Sequence, residues 1–175
     1  MEYPNELKTG DRVTYSFSDL HSSQSVYARF KPQSEQWNNE DDIPNLKVLR
    51  SKQSFNWNVF SIPEWTRFND IPNYLDGYAV VGFSIKAFRS KTNDSFKDIG
   101  IELHHIPEEY NYSHLQLYFP KGTANSDKLA FKESLLHFSR VHLSPGSSVN
   151  ERSIKMNIVL MRVRRAVFMF RRFFG

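Results

Sequence analysis

The stretch YAVVGFSIKAF, residues 78–88, decides the fold, because it is the longest apolar run in the body of the chain and is rich in β-branched and aromatic residues. Such a run predicts a central strand inside a hydrophobic core. On its N-terminal side, Val13, Tyr15 and Phe17 alternate with Thr14 and Ser16, the period of a half-buried strand. Val26, Ala28 and Phe30 repeat that pattern more weakly, and residues 55–62 and 114–119 alternate again. On its C-terminal side the polar turn RSKTND precedes Ser95 and Asp98, a capping-box-like start for a helix carrying Phe96, Ile99 and Leu103. A second helix is expected after residues 121–125, with Phe131, Leu135 and Phe138 on one face.

Proline marks two more boundaries. In IPEWTRF and IPEEYNY an acid follows the proline, and both features suit a first helical turn, so Pro63 and Pro107 are expected to open short helices. Residues 32–45, PQSEQWNNEDDIPN, are polar and acidic with Trp37 as the one aromatic residue, which predicts a long loop or a disordered segment. Residues 143–150, LSPGSSVN, predict a turn or linker. Strands and helices mix without strict β–α–β alternation. The expected class is therefore α+β: a single domain with a mostly antiparallel sheet and a few short helices. It divides into a partly ordered N-terminal region with an acidic loop (1–50), an α+β core (51–150) and a basic aromatic C-terminal segment (151–175).

Composition narrows function. The chain has 175 residues, no cysteine, 39% hydrophobic and 15% aromatic residues, enough for one packed core. Absence of cysteine removes disulfides, thiolate metal sites and cysteine catalysis. The start MEYPNELK lacks a basic stretch followed by an apolar one, and no run of about 18 apolar residues occurs, so secretion and membrane spanning are not expected and the cytosol is. The sequons Asn93-Asp94-Ser95 and Asn111-Tyr112-Ser113 are then expected to be silent.

Catalytic signals are weak. Seven scattered glycines form neither a G-x-G-x-x-G nor a G-x-x-x-x-G-K-[ST] loop, and no G-x-S-x-G elbow marks a nucleophile. His104 and His105, with Glu102, Glu108 and Glu109 nearby, are the sharpest hint of metal or proton chemistry. Adjacent histidines nonetheless point about 100° apart on a helix, or to opposite faces of a strand. They are expected to be polar residues at a helix end. The acidic run Glu40-Asp41-Asp42 lacks the alternating oxygen ligands and turn glycine of a calcium loop and reads as a solvated turn. No enzyme activity, cofactor, metal or small-molecule substrate is expected.

Charge is the informative asymmetry. Residues 1–50 carry six basic and eight acidic groups and residues 51–150 ten of each, whereas residues 151–175 carry seven basic groups and one acid, a +6 excess within a net +4 chain. Such a segment suits an anionic partner. On a helical projection Val159, Val163, Ala166, Val167, Phe170, Phe173 and Phe174 share one sector, and Arg164, Arg165, Arg171 and Arg172 take the opposite side. A basic amphipathic helix of this kind suits an anionic membrane surface, and the same arginines would attract RNA phosphates while the aromatics stack on bases. The candidate membrane- or phosphate-binding residues are Arg162, Arg164, Arg165, Arg171, Arg172, Phe170, Phe173 and Phe174. The same segment also fits two strands, 158–161 and 166–170, turning at 162–165 and completing the core.

The segment GYAVVGFSIKAFRSKTNDSFKDIGIELHHI, residues 77–106, resembles the opening of the folded core in rhabdovirus matrix proteins: a long amphipathic strand, a polar turn with basic residues, then a short helix. Chain length and basic character are similar to those of the compact matrix proteins of plant-infecting cytoplasmic rhabdoviruses. The resemblance implies a non-enzymatic α+β structural protein that self-associates, condenses the nucleocapsid (the nucleoprotein–RNA complex) and attaches it to the lipid envelope. Its places would be the virion and the host cytoplasm, peripheral to membranes. Many matrix proteins carry their basic charge and a P-P-x-Y budding motif in the N-terminus, whereas residues 1–50 here are slightly acidic and contain no such motif. No family site residue is therefore carried over. Two readings from other classes stand beside this one: a bacterial toxin-immunity or inhibitor protein that binds one-to-one through the acidic loop, and a single-stranded nucleic-acid-binding domain.

Overall fold

A computed structural model describes residues 13–15, 20, 23–32, 34–48, 53–68, 77–88, 101–108 and 113–148, together with positions 159, 163, 166, 167 and 170. Its frame is a seven-stranded sheet in the order β1-β7-β8-β5-β2-β6-β9, with every neighbouring pair antiparallel. The strands are β1 (Val13–Tyr15), β2 (Ser25–Phe30), β5 (Ser54–Trp57), β6 (Ala79–Ser84), β7 (Glu102–His105), β8 (His114–Tyr118) and β9 (Ser139–Leu143). A separate two-stranded hairpin joins β3 (Trp37–Asn38) to β4 (Ile43–Pro44). Helices α1 (Pro63–Phe68), α2 (Ile85–Phe88) and α3 (Asn125–Leu136) accompany them. The α+β class with a mostly antiparallel sheet is thus as expected.

The core explains why these segments pair. Trp57, Phe55, Phe83, Leu103, Leu115 and Leu117 are all buried at 1% exposure or less, and each such side chain contributes about 1.5–3 kcal/mol on leaving water. Phe55 and Phe83 meet edge to face at 5.8 Å across the sheet, and Phe119 meets Phe131 of α3 at 5.7 Å, fixing the helix to the core. Leu135 follows Phe131 one turn later and is also buried. Pro63 opens α1 with Glu64 in the first turn, as its sequence predicts. At the other end of α1, Arg67 is wholly buried and donates to the carbonyl oxygens of Ser144 and Ser147 and to the Ser147 hydroxyl. This ties α1 to the turn after β9.

Several expectations are corrected. The apolar run 78–88 is not one strand: β6 stops at Ser84, and the chain turns into α2. Its strand part lies in the core as expected, since Ala79, Val80, Val81 and Phe83 are all buried and the strand is covered on both sides. Residues 32–45 are not a plain loop, because Trp37 is buried against Phe30 at 6.4 Å and anchors the β3–β4 hairpin. The alternation over 55–62 ends as a strand at Trp57. No helix begins at Pro107, which is followed by a bridge residue, Glu108. Leu103, expected on a helix, lies in β7; residues 95–100 fall outside the described residues. Phe138 lies beyond the end of α3 and is exposed rather than sharing the buried face of Phe131 and Leu135.

Candidate functional site

The basic segment is helical at all five of its described positions, Val159, Val163, Ala166, Val167 and Phe170. This answers the two-strand alternative: positions 159, 166, 167 and 170 belong to a helix and not to the sheet. Projected at 100° per residue, these five positions fall within an arc of about 100°, an apolar stripe. The stripe faces outward, with Val159 61%, Val163 56%, Val167 47% and Phe170 65% exposed. A stripe of this size normally faces a core, a partner or a membrane. Among the expected binding residues, Phe170 is therefore placed on the exposed stripe, and Arg162, Arg164, Arg165, Arg171, Arg172, Phe173 and Phe174 lie outside the described residues.

A second surface, unmarked in the sequence, is a groove of about 600 Å³ between the β3–β4 hairpin and the C-terminal half of α3. Trp37, Pro44 and Leu46 are buried in its wall, and Ile43 and Leu136 stand 38% exposed along it. Glu35 and Glu133 add acidic groups, and the Lys47 ammonium lies 3.2 Å from the Glu133 carboxylate, joining the two sides. The hairpin tip carries Glu40, Asp41 and Asp42, all exposed. The tip is rigidly built: the Asn38 amide donates to Asp41 at 2.7 Å, its oxygen accepts from the Glu40 backbone at 3.0 Å, and Asp42 takes the left-handed conformation that closes the turn.

The histidines do other work. His104 and His105 sit on a strand, not at a helix end, and point to opposite faces. The His104 Nε2 donates to Glu102 at 2.7 Å while its ring stacks on Tyr118 at 5.1 Å. His105 is fully buried, stacked on Phe60 and edge-on to Trp57, each at 5.6 Å. Among the described residues no three His, Asp or Glu side chains gather as a metal site.

Among the described histidines, His114 alone has a hydrolase-like set of neighbours. Its Nδ1 lies 3.0 Å from the Ile106 carbonyl and 3.2 Å from Glu108, and its Nε2 lies 3.2 Å from the Ser54 hydroxyl. Both Nδ1 neighbours accept, so Nδ1 carries the proton and Nε2 accepts from Ser54. Ser54 is exposed and in regular register with Gln116, on no sharp turn that would aim amide donors at an oxyanion. The arrangement clamps β5 to β8 and to the chain leaving β7.

No family model matches this chain, and neither a curated protein nor a solved structure matches it. Among the described residues no helix is long and apolar enough to cross a membrane. Sequence reasoning located the basic stripe from charge and period but missed the groove, whose one signal was Trp37 isolated in a polar segment.

Proposed function

We propose that this protein is a non-enzymatic, matrix-type structural protein that self-assembles and links a ribonucleoprotein to a lipid envelope, attaching peripherally to anionic membrane through its C-terminal segment. The observation that carries this reading is the outward-facing stripe of Val159, Val163, Val167 and Phe170 within a segment of seven basic residues and one acid. Such a helix lies in the interface plane, its apolar residues among the acyl chains. Each arginine near an anionic surface adds about 1 kcal/mol, decaying within a Debye length. Arg164, Arg165, Arg171 and Arg172 are the residues assigned to lipid phosphate, and the same basic groups would meet the nucleoprotein–RNA face when not at the membrane.

Flotation with vesicles tests this. The full chain should rise with vesicles containing phosphatidylserine and stay down with neutral ones. Removal of residues 151–175, or the combined substitution Arg164→Glu, Arg165→Glu, Arg171→Glu and Arg172→Glu, should abolish flotation. Flotation untouched by the charge reversal would overturn the membrane role.

A further inference from the structure

We infer that the groove between the β3–β4 hairpin and α3 receives the apolar stripe of the C-terminal helix from a second copy of this chain. The inference deepens the self-assembly part of the proposed function and rests on it.

Three observations meet here. The stripe presents Val159, Val163, Val167 and Phe170 at spacings of four, four and three, the anchor pattern of a helix laid into a hydrophobic groove. The groove offers about 600 Å³ lined by Trp37, Ile43, Pro44, Leu46 and Leu136. The charges are complementary: Glu35 lines the groove, Glu133 is paired there with Lys47, and the same hairpin carries the exposed acidic tip Glu40, Asp41 and Asp42, while the helix segment carries a +6 excess. Opposite fields of this kind steer association and fix orientation more than they add affinity.

The copy that supplies the helix is not the copy that supplies the groove. Within one chain the four stripe residues are 47–65% exposed, so they are not seated in their own groove. A helix on one copy entering a groove on the next is a heterologous contact, which grows into open chains or closed rings according to the rotation it imposes. The same stripe is assigned to the membrane, so the two berths exclude each other, and anionic lipid should draw helices out of grooves.

The absence of native cysteine makes the test direct. Leu136→Cys and Val167→Cys are placed singly in differently tagged full-length chains, both at exposed positions, and treated with a short bismaleimide. The mixture should give a crosslinked species carrying both tags, at least several-fold more than a mixture of Val167→Cys with the exposed control Lys121→Cys. Adding Glu133→Lys to the Leu136→Cys chain should weaken the crosslink, and phosphatidylserine vesicles should suppress it. Yields equal to the control overturn the inference, as does a crosslink confined within single chains of the Leu136→Cys, Val167→Cys double variant. A chain that floats without this crosslink keeps the membrane reading and loses the groove. One that crosslinks without floating does the reverse.

Discussion

The imidazole of His142 lies across the bare Cα of Gly82, so closely that a β-carbon at Gly82 would stand 2.6 Å from its Nε2 and 3.2 Å from Tyr27. Glycine is thus what makes room for His142, which sits at the register irregularity between β6 and β9, edge-on to Tyr27 at 5.3 Å. Gly82→Ala should push the ring outward, since His142 is on the exposed side of an edge strand. The lost aromatic contact is worth about 0.5–1.5 kcal/mol and the gain of alanine over glycine in a strand about 0.5–1. The two nearly cancel, so stability should stay within about 1 kcal/mol of wild type. The His142 titration, followed by NMR, should move up toward the ordinary histidine value. An unchanged titration would show that the ring had not moved.

His142 also predicts a pH dependence. Partial burial of its ring, and then the Arg140 charge, lower its pKa below the ordinary 6.5. Above about pH 6.5 the ring is neutral in both folded and unfolded chains, and its contribution is fully present. As pH falls through 6.5 toward the folded value, the unfolded chain takes up the proton first, and stability declines. Urea midpoints compared at about pH 7.5 and about pH 5.5 should therefore fall less in His142→Asn than in wild type. An equal fall in both would assign the dependence to other groups.

Arg67 should be among the most sensitive positions. Arg67→Met removes a buried guanidinium that donates to Ser144 O at 2.8 Å and Ser147 Oγ at 3.0 Å, leaving backbone carbonyls without that donor. A hydrogen bond from a charged group is worth about 1.5–3 kcal/mol, so the loss should be at least about 2 kcal/mol, seen as a lower urea midpoint at unchanged slope. Arg67→Lys should recover only part, because an ammonium lacks the planar fork that spans both serines. Full recovery with lysine would mean that charge, and not geometry, is what the site uses.

What was legible in the sequence follows from which physical signal each element carries. Strand β8 and helix α1 were legible because each obeys a local rule: alternation for His114–Tyr118, proline followed by glutamate for Pro63–Phe68. The end of β6 was not, since a strand buried on both faces shows no period to separate it from the helix that follows. The β3–β4 hairpin was hidden because a tertiary contact, Trp37 on Phe30, orders a segment whose composition is that of a loop. The groove was invisible for the same reason: its walls come from residues about 90 positions apart, Ile43 and Leu136.

Neighbouring leucines on α3 separate fold from interface. Leu135 is fully buried, and Leu135→Ala should cost about 2–4 kcal/mol through lost transfer energy and the cavity left behind. Leu136, 38% exposed on the groove, should tolerate alanine within about 0.5 kcal/mol in the isolated chain. If the groove seats a second copy, Leu136→Ala should instead lower the sedimentation-averaged mass at concentrations where wild type associates. Thermal unfolding at high dilution and sedimentation at high concentration therefore sort the two residues oppositely, and a Leu136→Ala chain that is destabilised when dilute would return that residue to the core.

The exposed stripe allows the apolar and electrostatic parts of membrane attachment to be weighed separately. Phe170 is the largest described side chain on it, at 65% exposure, and burying a phenylalanine is worth about 1.5–3 kcal/mol, or roughly 10- to 100-fold in a partition constant. Phe170→Ala should weaken binding to phosphatidylserine vesicles by about that factor at every salt concentration, because hydrophobic transfer is not screened. Charge reversal at Arg171 and Arg172 should behave differently: a large loss at low salt that shrinks as the Debye length falls from about 10 Å at 0.1 M to about 3 Å at 1 M. Parallel salt curves for wild type and Phe170→Ala, with converging curves for wild type and the arginine variant, are the expected result. If Phe170→Ala left binding unchanged at all salts, the stripe would not enter the bilayer and attachment would rest on charge alone.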